Sequence, residues 1–271
     1  MRLVNIKPAR GPRFLIGAVP IIILLVLYAV LSAARAEANA HDKVLPTFLA
    51  MGQAALRLFT EVDPRTGDIT ALADTSASLW RLAMGVGIAT LSTLLIGIAL
   101  GVVPLVRAAL GPLVTVIAVI PPIAVLPILF IALGLGEASK IALIAVGIAP
   151  YMIRDLASHV AGLPAEQFVK AQTLGASTWQ LTLRVALPQA LPRLIDSLRF
   201  SMGPAWVFLI SAEAIASDVG LGYRIFLVRR YLSMDIILPY VAWISCLAIL
   251  TDWALLTISR KAFPWAHGKG H

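Results

Sequence analysis

An all-α, polytopic membrane protein is the fold class that this sequence predicts, and three observations predict it. The chain has 271 residues, of which 59% are hydrophobic, and its mean hydropathy is +0.90. Charged residues make up 13% of the chain, about half of their usual share in soluble domains. Apolar segments of about 20 residues, the length that a membrane-spanning helix needs, recur along most of the chain. Together these observations exclude an ordinary soluble domain.

About six candidate membrane spans follow one another in a single membrane domain. They are residues 14–34, 82–106, 113–133, 138–157, 195–216 and 236–258. Basic residues precede the first span and Ala-Arg-Ala ends it at 34–36, so a cleaved secretory signal is the alternative there. Its apolar stretch is longer than the roughly 7–15 residues of a signal peptide, which favours a retained helix.

Helix breakers and charges distinguish three of these spans. Prolines at positions 121, 122 and 127 break the third span, and backbone carbonyls freed by proline must face protein or a water-filled cavity inside a membrane. Glu213 lies in the fifth span, where an ionised carboxylate costs roughly 2.5–3.5 kcal/mol unless it faces a cavity or a partner. Asp252 in the sixth span is expected to pair with Arg199 or to lie at the inner membrane interface.

Lysine and arginine residues indicate the orientation, because they accumulate in the cytoplasmic loops of membrane proteins. With residues 1–13 in the cytoplasm, 13 of the 22 Lys and Arg residues fall on the inner side. Residues 35–81 then form a periplasmic loop with six acidic residues and an amphipathic run, 45–59, that is predicted to lie on the membrane surface. The core, 82–260, contains five further spans and a cytoplasmic segment, 164–190, and the tail 261–271 is also cytoplasmic.

The motifs of several enzyme classes are missing from the sequence. The phosphate-binding string G-x-x-x-x-G-K-[ST], the zinc-protease string H-E-x-x-H and the hydrolase string G-x-S-x-G are all absent. A single cysteine, Cys246, excludes a disulfide framework. The formal charge of +8 comes without a basic stripe and interleaved aromatic residues, so nucleic acid is not an expected partner. We therefore predict no catalytic residue, no metal site and no cofactor bound by this chain.

The segment 164–190 is polar and amphipathic, although apolar runs flank it on both sides. Its charged residues include Glu166 and Lys170, so it must face water or another protein. A helix-forming run stops at Gly175, where the break favours a residue that tolerates positive φ. A second helical run is predicted to begin at Ala176 and to end at Leu187-Pro188.

This segment resembles a motif of the permeases of bacterial ATP-binding-cassette importers: E-A-A, three residues, G, nine residues, I-x-L-P. Gly175 occupies the glycine position, and Val185-Ala-Leu-Pro188 occupies the end of the motif. The front departs from the pattern, because Val169-Lys-Ala171 stands in place of E-A-A. Four further phrases, at 120–127, 134–140, 173–179 and 220–223, are similar to the nitrate, sulfonate and taurine group of these permeases, and the resemblance covers about residues 75–260.

The resemblance implies a type I importer permease fold whose cytoplasmic coupling helix docks on a separate ATPase. The residues expected to make that contact are Glu166, Lys170, Ala171, Gly175, Ala176, Leu187 and Pro188. The implied partners are two ATP-binding subunits, which hold ATP and Mg, a periplasmic or lipid-anchored substrate-binding protein, a second permease copy and the lipid bilayer. The chain itself would be no enzyme. It would import a small polar solute, such as an organic sulfonate, a nitrate-like anion or a small nitrogen compound, across the bacterial inner membrane by alternating access.

Two further sets of residues are candidates under this resemblance. Pro122, Trp206 and Glu213 are candidates for the translocation path. The alternatives are a packing kink for Pro122, a lipid- or core-facing position for Trp206, and a structural hydrogen bond or a place near the outer interface for Glu213. Arg224, Arg229 and Arg230 are candidates for docking the binding protein, with lipid phosphates as the alternative ligand. An ion-coupled secondary transporter, in which Glu213 and Asp252 would act as intramembrane carboxylates, is the alternative function.

Overall fold

The computed structural model describes residues 10–38, 43–62 and 67–266. The outermost parts of both predicted cytoplasmic termini, 1–9 and 267–271, lie outside these ranges, as do two short parts of the predicted periplasmic loop. Within the described residues the chain forms twelve α-helices, and no β-strand occurs apart from an isolated bridge between Val62 and Ile69.

The helices follow one another with short connections. They are α1 (Arg10–Ala38), α2 (Phe48–Thr60), α3 (Thr70–Ser92), α4 (Ile98–Val102), α5 (Pro104–Val119), α6 (Pro122–Leu133), α7 (Glu137–Ala161), α8 (Ala165–Thr173), α9 (Thr178–Leu181), α10 (Leu187–Ala216), α11 (Leu221–Arg229) and α12 (Met234–Ala262). A π-helical turn, Thr93–Gly97, joins α3 to α4, and a second, Thr182–Ala186, joins α9 to α10.

The described helices include enough long apolar ones for a polytopic membrane protein. Four stretches qualify by length and composition, namely Ile16–Glu37, Thr70–Val102, Glu137–Ala161 and Met234–Ala262. Two bent pairs raise the number to six if each pair is one span: α5 with α6, bent by 99°, and 178–216 with α11, bent by 55°. The predicted fold class is therefore confirmed.

The second span begins twelve residues earlier than predicted, at Thr70 instead of residue 82. Asp74, Ser78 and Arg81, assigned to a loop from their polarity, lie on one buried face of α3. Hydropathy misplaced this boundary because it scores polar side chains as exposed, whereas here each one has a hydrogen-bonding partner in the interior.

The third predicted span consists of two helices that meet at a sharp bend. Helix α5 ends at Val119, and Pro122 begins α6, a position where the missing N–H of proline costs no intrahelical hydrogen bond. Pro121 takes an extended conformation between them, with φ −61° and ψ 117°. The prolines therefore divide this span and do not merely kink it.

Helix α7 lies at the centre of the bundle. Its buried side chains, which include Leu143, Ile144, Met152 and Leu156, pack against α3, α4, α6 and α10. Helix α1 is almost fully exposed and is tied to the start of α2 through Tyr28, whose hydroxyl donates to the Pro46 carbonyl at 2.7 Å. The predicted amphipathic run forms α2, which packs on α12 through an edge-to-face contact between Phe59 and Trp243.

Candidate functional site

The polar segment forms two short helices, α8 and α9, joined by a tight turn. Gly175 has φ +83°, so the predicted positive φ is confirmed. The amide of Gly175 donates to the Gln172 carbonyl at 2.9 Å, and the amide of Ala176 donates to the Ala171 carbonyl at 3.0 Å. This pair of hydrogen bonds is the Schellman arrangement that ends a helix at glycine.

Helix α9 begins with a capping box immediately after this turn. The Ser177 hydroxyl accepts from the Gln180 amide at 3.3 Å, and the Gln180 side chain accepts from the Ser177 amide at 2.9 Å. Because both sides of the turn satisfy the ends of their helices, the turn is held in one shape. It can therefore enter a groove on a partner without a large loss of conformational entropy.

The surface of this α8–α9 knob, residues 165–181, carries apolar side chains exposed to solvent. Leu174 is 89% exposed at the turn, and Trp179 is 69% exposed on α9. Both side chains are accessible to a partner that docks on the knob.

The predicted contact residues take different positions around the knob. Glu166, Lys170 and Gly175 are exposed, and Ala171 and Ala176 are half-buried beside Gly175. Ala171, Gly175 and Ala176 border one surface depression, together with Arg184 and Val185. Leu187 and Pro188 are half-buried further along, at the start of α10.

The prediction that the second helix ends at Leu187-Pro188 is wrong. The chain continues through the π-helical turn into α10, where Pro188 stands in the first turn. Proline has no N–H for the carbonyl four residues earlier and clashes with it in an α-helix, and a π turn gives that carbonyl more room. The Gln189 side chain donates to the Val185 carbonyl at 2.8 Å and to the Gln167 side chain of α8 at 2.8 Å. The knob is thereby attached to the long helix α10.

A second group of polar side chains lies among the long helices, near the end of α10 that is far from the knob. Six ionisable residues from α3, α7, α10 and α11 form what we call the buried ion cluster: Asp74, Arg81, Glu137, Lys140, Glu213 and Arg224. Glu137, whose side chain is 51% exposed, lies at the open edge of this cluster. Three acids meet three bases, so the formal charges balance. Ion pairing of this kind is what permits charged groups inside a membrane protein.

Glu213 is fully buried, and both of its carboxylate oxygens accept hydrogen bonds. Its oxygens accept from Ser78 Oγ at 2.8 and 2.9 Å, from an Nη of Arg81 at 2.7 Å and from the Gly222 amide at 2.9 Å. Asp74 is equally buried and accepts from the Gly220 amide at 2.9 Å, from Arg224 Nε at 2.8 Å and from the Tyr240 hydroxyl at 3.0 Å.

Arg81 links Glu213 of α10 to Glu137 of α7. It binds Glu137 through two hydrogen bonds of 2.5 and 2.8 Å and also donates to the Val219 carbonyl at 2.7 Å. Lys140 donates to Glu137 at 2.9 Å and to Ser217 Oγ at 3.2 Å. The loop between α10 and α11 is therefore held against α3 and α7 by charged side chains.

Gly220 of this loop and Gly222 in the first turn of α11 have no room for a side chain. A Cβ at Gly220, where φ is +135°, would lie 2.6 Å from the Glu213 carboxyl carbon, and a Cβ at Gly222 would lie 2.7 Å from the Ile210 carbonyl oxygen. Larger residues would push the loop away from Glu213 and break its bond to the Gly222 amide.

The candidate path residues do not meet around one open cavity in this conformation. Glu213 belongs to the buried ion cluster, Pro122 begins α6, and Trp206 is 4% exposed within the core. The indole Nε1 of Trp206 has no hydrogen-bond partner in the described part of the chain.

The three candidate docking arginines also differ in their surroundings. Arg224 is bound to Asp74, Arg229 lies over the Phe226 ring at 5.0 Å, and Arg230 is exposed. The predicted pair of Arg199 with Asp252 is confirmed, with hydrogen bonds of 2.9 and 3.0 Å.

Sequence reasoning missed Asp74, Ser78 and Arg81 as members of a site. Their spacing was an available signal, because residues four and seven apart share one face of a helix. Among the described residues no group of His, Cys, Asp and Glu is arranged to hold a metal ion.

Comparison with known proteins gives a family match over residues 93–263. The matching family is described as "Binding-protein-dependent transport system inner membrane component". The matched range includes the whole α8–α9 knob, together with Glu213 and the Gly220–Gly222 loop.

Two curated relatives illustrate the similarity in sequence. The taurine transport system permease protein of Escherichia coli (strain K12) is 37% identical over 232 residues, which are 83% of this chain and 82% of the relative. The putative aliphatic sulfonates transport permease protein of Bacillus subtilis (strain 168) is 30% identical over 188 residues, which are 69% of this chain and 68% of the relative.

The fold is also similar to a chain of the MetNI methionine ABC transporter, solved in inward-facing conformations. The TM-score is 0.62 at 20% identity, and the match covers 71% of this chain and 95% of that chain. At this identity the similarity shows the fold alone.

Proposed function

The chain belongs to the family of binding-protein-dependent transport system inner membrane components, and we propose that its α8–α9 knob is the coupling helix that docks on a separate ATPase. The chain is accordingly a permease subunit of an ATP-binding-cassette importer. The observation that carries the proposal is the knob itself: a rigid turn with Leu174 and Trp179 exposed, joined to α10. Family membership does not favour the ion-coupled secondary transporter.

The coupling proposal follows from the way the knob is mounted. The Gln189–Gln167 bond ties α8 to the start of α10, and α10 runs without interruption to Glu213 and the buried ion cluster. A rigid-body displacement of the knob would therefore be transmitted along α10, which is how packed helices carry domain-scale switches. ATP and Mg would belong to the partner, and this chain would hold no cofactor.

For the substrate we propose a small organic sulfonate. The relatives with taurine and aliphatic sulfonates in their names support this class, and the taurine relative matches more than four fifths of both chains. In such an importer the separate binding protein, periplasmic or lipid-anchored, delivers the solute. We propose that this binding protein contacts Arg229, the last residue of α11, and Arg230, which follows it, because both side chains are exposed.

The assembly we propose has two copies of this permease and two ATPase subunits, with both permease termini in the cytoplasm. Apolar side chains exposed on α5 and α6, including Leu105 at 81% and Ile131 at 87%, provide a surface that lipid or the second copy would cover. Mass photometry of the purified complex in detergent tests this: a mass that fits one permease copy would contradict the dimer.

Reconstitution tests the substrate class. The permease, its ATPase and its binding protein are placed in proteoliposomes, and ATP hydrolysis is measured with taurine, ethanesulfonate, nitrate and methionine. We expect the two sulfonates to stimulate hydrolysis and methionine to leave it at the basal rate. Stimulation by methionine or nitrate alone would overturn the sulfonate assignment but not the permease function.

The variant Gly175→Pro tests the coupling role. Proline fixes φ near −65°, whereas Gly175 requires +83°, so the turn must change shape and the knob must lose its fit. We expect ATPase co-purification and transport to fail while membrane insertion is retained. Gly162→Ala, at a helix end with an ordinary φ of −86°, is the matched control and should transport normally. Normal transport by Gly175→Pro would contradict the proposal.

A further inference from the structure

A polar groove of about 290 Å³ lies between α5 and α7, beside the last turn of α7. Arg107 and Thr115 line it from α5, and Arg154 and Ser158 line it from α7. Gly111, Ala157 and Ala161 leave space between these side chains. All four polar residues carry hydrogen-bond donors, and no Asp or Glu borders the groove in the described part of the chain.

Arg107 is held in place by the end of α4. Its Nε donates to the Leu100 carbonyl at 2.8 Å, and one Nη donates to the Gly101 carbonyl. These carbonyls lie in the last turn of α4, where a helix has no intrahelical partners for them. The guanidinium is therefore fixed in orientation with its second Nη group left over, and no carboxylate among the described residues forms an ion pair with it.

Arg154 is the second cation of the groove. The adjacent carboxylate, Asp155, is engaged by Arg193, which donates to it at 2.9 Å from Nε. Within residues 10–38, 43–62 and 67–266, Arg154 itself shows neither an ion pair nor a hydrogen bond. The chain thus satisfies Asp155 and leaves Arg154 exposed, beside the hydroxyl of Ser158 one turn further on.

We propose that this groove binds a tetrahedral oxyanion, the phosphate of an anionic phospholipid or a free sulfonate. Guanidinium groups present forked N–H donors that match the spacing of such oxygens, and charge-assisted bonds of this kind are stronger than neutral ones. An anion that carries its own ammonium group, such as phosphatidylcholine or taurine, fits less well than an acidic lipid or an alkanesulfonate, because its positive group would meet two guanidinium groups and no carboxylate.

The two sources share this chemistry but reach the groove in different ways. Basic pockets between helices at the cytoplasmic side of a membrane bind anionic lipid headgroups. A sulfonate would arrive as the transported solute, and that source rests on the proposed function, whereas the ligand class rests on the groove. In both cases the bound anion lies beside Ser158 and Ala161 at the end of α7. Because α8 begins four residues after Ala161, anion binding would stabilise the connection from α7 to the knob.

Binding to the full-length purified chain, in the absence of ATPase and binding protein, tests the groove independently of transport. Delipidated protein is titrated with phosphatidylglycerol and, separately, with phosphatidylcholine of the same acyl chains, and bound lipid is counted by native mass spectrometry. Ethanesulfonate is titrated in parallel, with thermal unfolding as the readout. The variants are Arg154→Gln and Thr115→Val, and Arg260→Gln, an exposed cation on α12, is the matched control.

Each outcome decides the proposal. If the lipid is the source, Arg154→Gln weakens phosphatidylglycerol binding about tenfold, Thr115→Val weakens it less, and Arg260→Gln and phosphatidylcholine binding stay unchanged. If the solute is the source, the lipids do not discriminate, but ethanesulfonate stabilises the wild type and Arg260→Gln while leaving Arg154→Gln unaffected. Equal behaviour of Arg154→Gln and Arg260→Gln towards both probes overturns the oxyanion site.

Discussion

Glu213 shows how one buried carboxylate can define a part of the fold. It accepts from Ser78, Arg81 and the Gly222 amide, and all of these bonds are sequestered from solvent. Removing one member of such a pair leaves the other charged and buried, which costs more than the pair contributed. The stability that Glu213 contributes therefore depends on all of these partners being in place.

We expect Glu213→Gln to lower the free energy of unfolding by about 3 kcal/mol, in the range found when one partner of a buried ion pair is removed. The amide keeps the size of the side chain but leaves Arg81 with one carboxylate, Glu137, in place of two. Unfolding of the purified chain in mixed micelles measures the change.

Asp252→Asn is the matched control for that variant. Asp252 pairs with Arg199, but the side chains are 45% and 23% exposed, and partly exposed pairs contribute no more than about 1 kcal/mol. If Asp252→Asn lowered the free energy of unfolding as much as Glu213→Gln, burial would not explain the larger contribution expected of the Glu213 pair.

Gly222→Ala is expected to destabilise the chain by about 1–3 kcal/mol, the usual cost of adding a methyl group to a packed site. Its Cβ would lie 2.7 Å from the Ile210 carbonyl oxygen and 3.0 Å from Glu213 Cβ. Gly87→Ala on α3, where nothing lies within 4 Å of the new Cβ, should be neutral or slightly stabilising. Thermal unfolding of both variants decides: equal shifts would refute the steric argument.

At the scale of an element, the α8–α9 knob was the easiest part to anticipate and its continuation the hardest. The glycine turn is local, since the Gly175 amide bonds to Gln172 and the Ala176 amide bonds to Ala171, so nearby residues suffice to predict it. The continuation past Pro188 depends on a π turn and on Gln189 reaching Gln167, 22 residues away in sequence. A rule that ends helices at proline therefore cannot predict that α10 continues past Pro188.

We expect Gln189→Ala to loosen α8. The change removes the hydrogen bonds to Gln167 and to the Val185 carbonyl, and bonds of this kind contribute about 0.5–1.5 kcal/mol each. Hydrogen exchange of the α8 amides should then be up to about tenfold faster, while the amides of α7 keep their protection. Gln172→Ala, at an exposed position of α8, is the control. Unchanged exchange in Gln189→Ala would show that another contact mounts the knob.

At the scale of the whole molecule, the proposed orientation places the α8–α9 turn in the cytoplasm and the α11–α12 turn in the periplasm. Helices α10 and α11 lie between these two turns, and α10 alone is 30 residues long, which at about 1.5 Å per residue is enough to cross a bilayer. The two turns must therefore differ in accessibility from the outside of the cell.

Single cysteines test this orientation. In a Cys246→Ser background, Leu232→Cys and Leu174→Cys place a thiol at side chains that are 60% and 89% exposed. A membrane-impermeant maleimide should label Leu232→Cys in spheroplasts and Leu174→Cys only after permeabilisation. The reverse pattern would invert the topology and place the knob on the wrong side for an ATPase.

The sequence by itself determined the fold class, the family and the turn at Gly175, because hydropathy, motif spacing and glycine stereochemistry are read within short stretches of chain. The partners of Glu213 and the start of α3 came from the tertiary structure alone. The bonds that join Glu213 to Arg81 and Asp74 to Arg224 link residues 132 and 150 positions apart, and no local pattern specifies such partners. A charge in an apolar helix stands alone in the sequence, and its ion pair becomes visible only when the fold brings the opposite charge beside it.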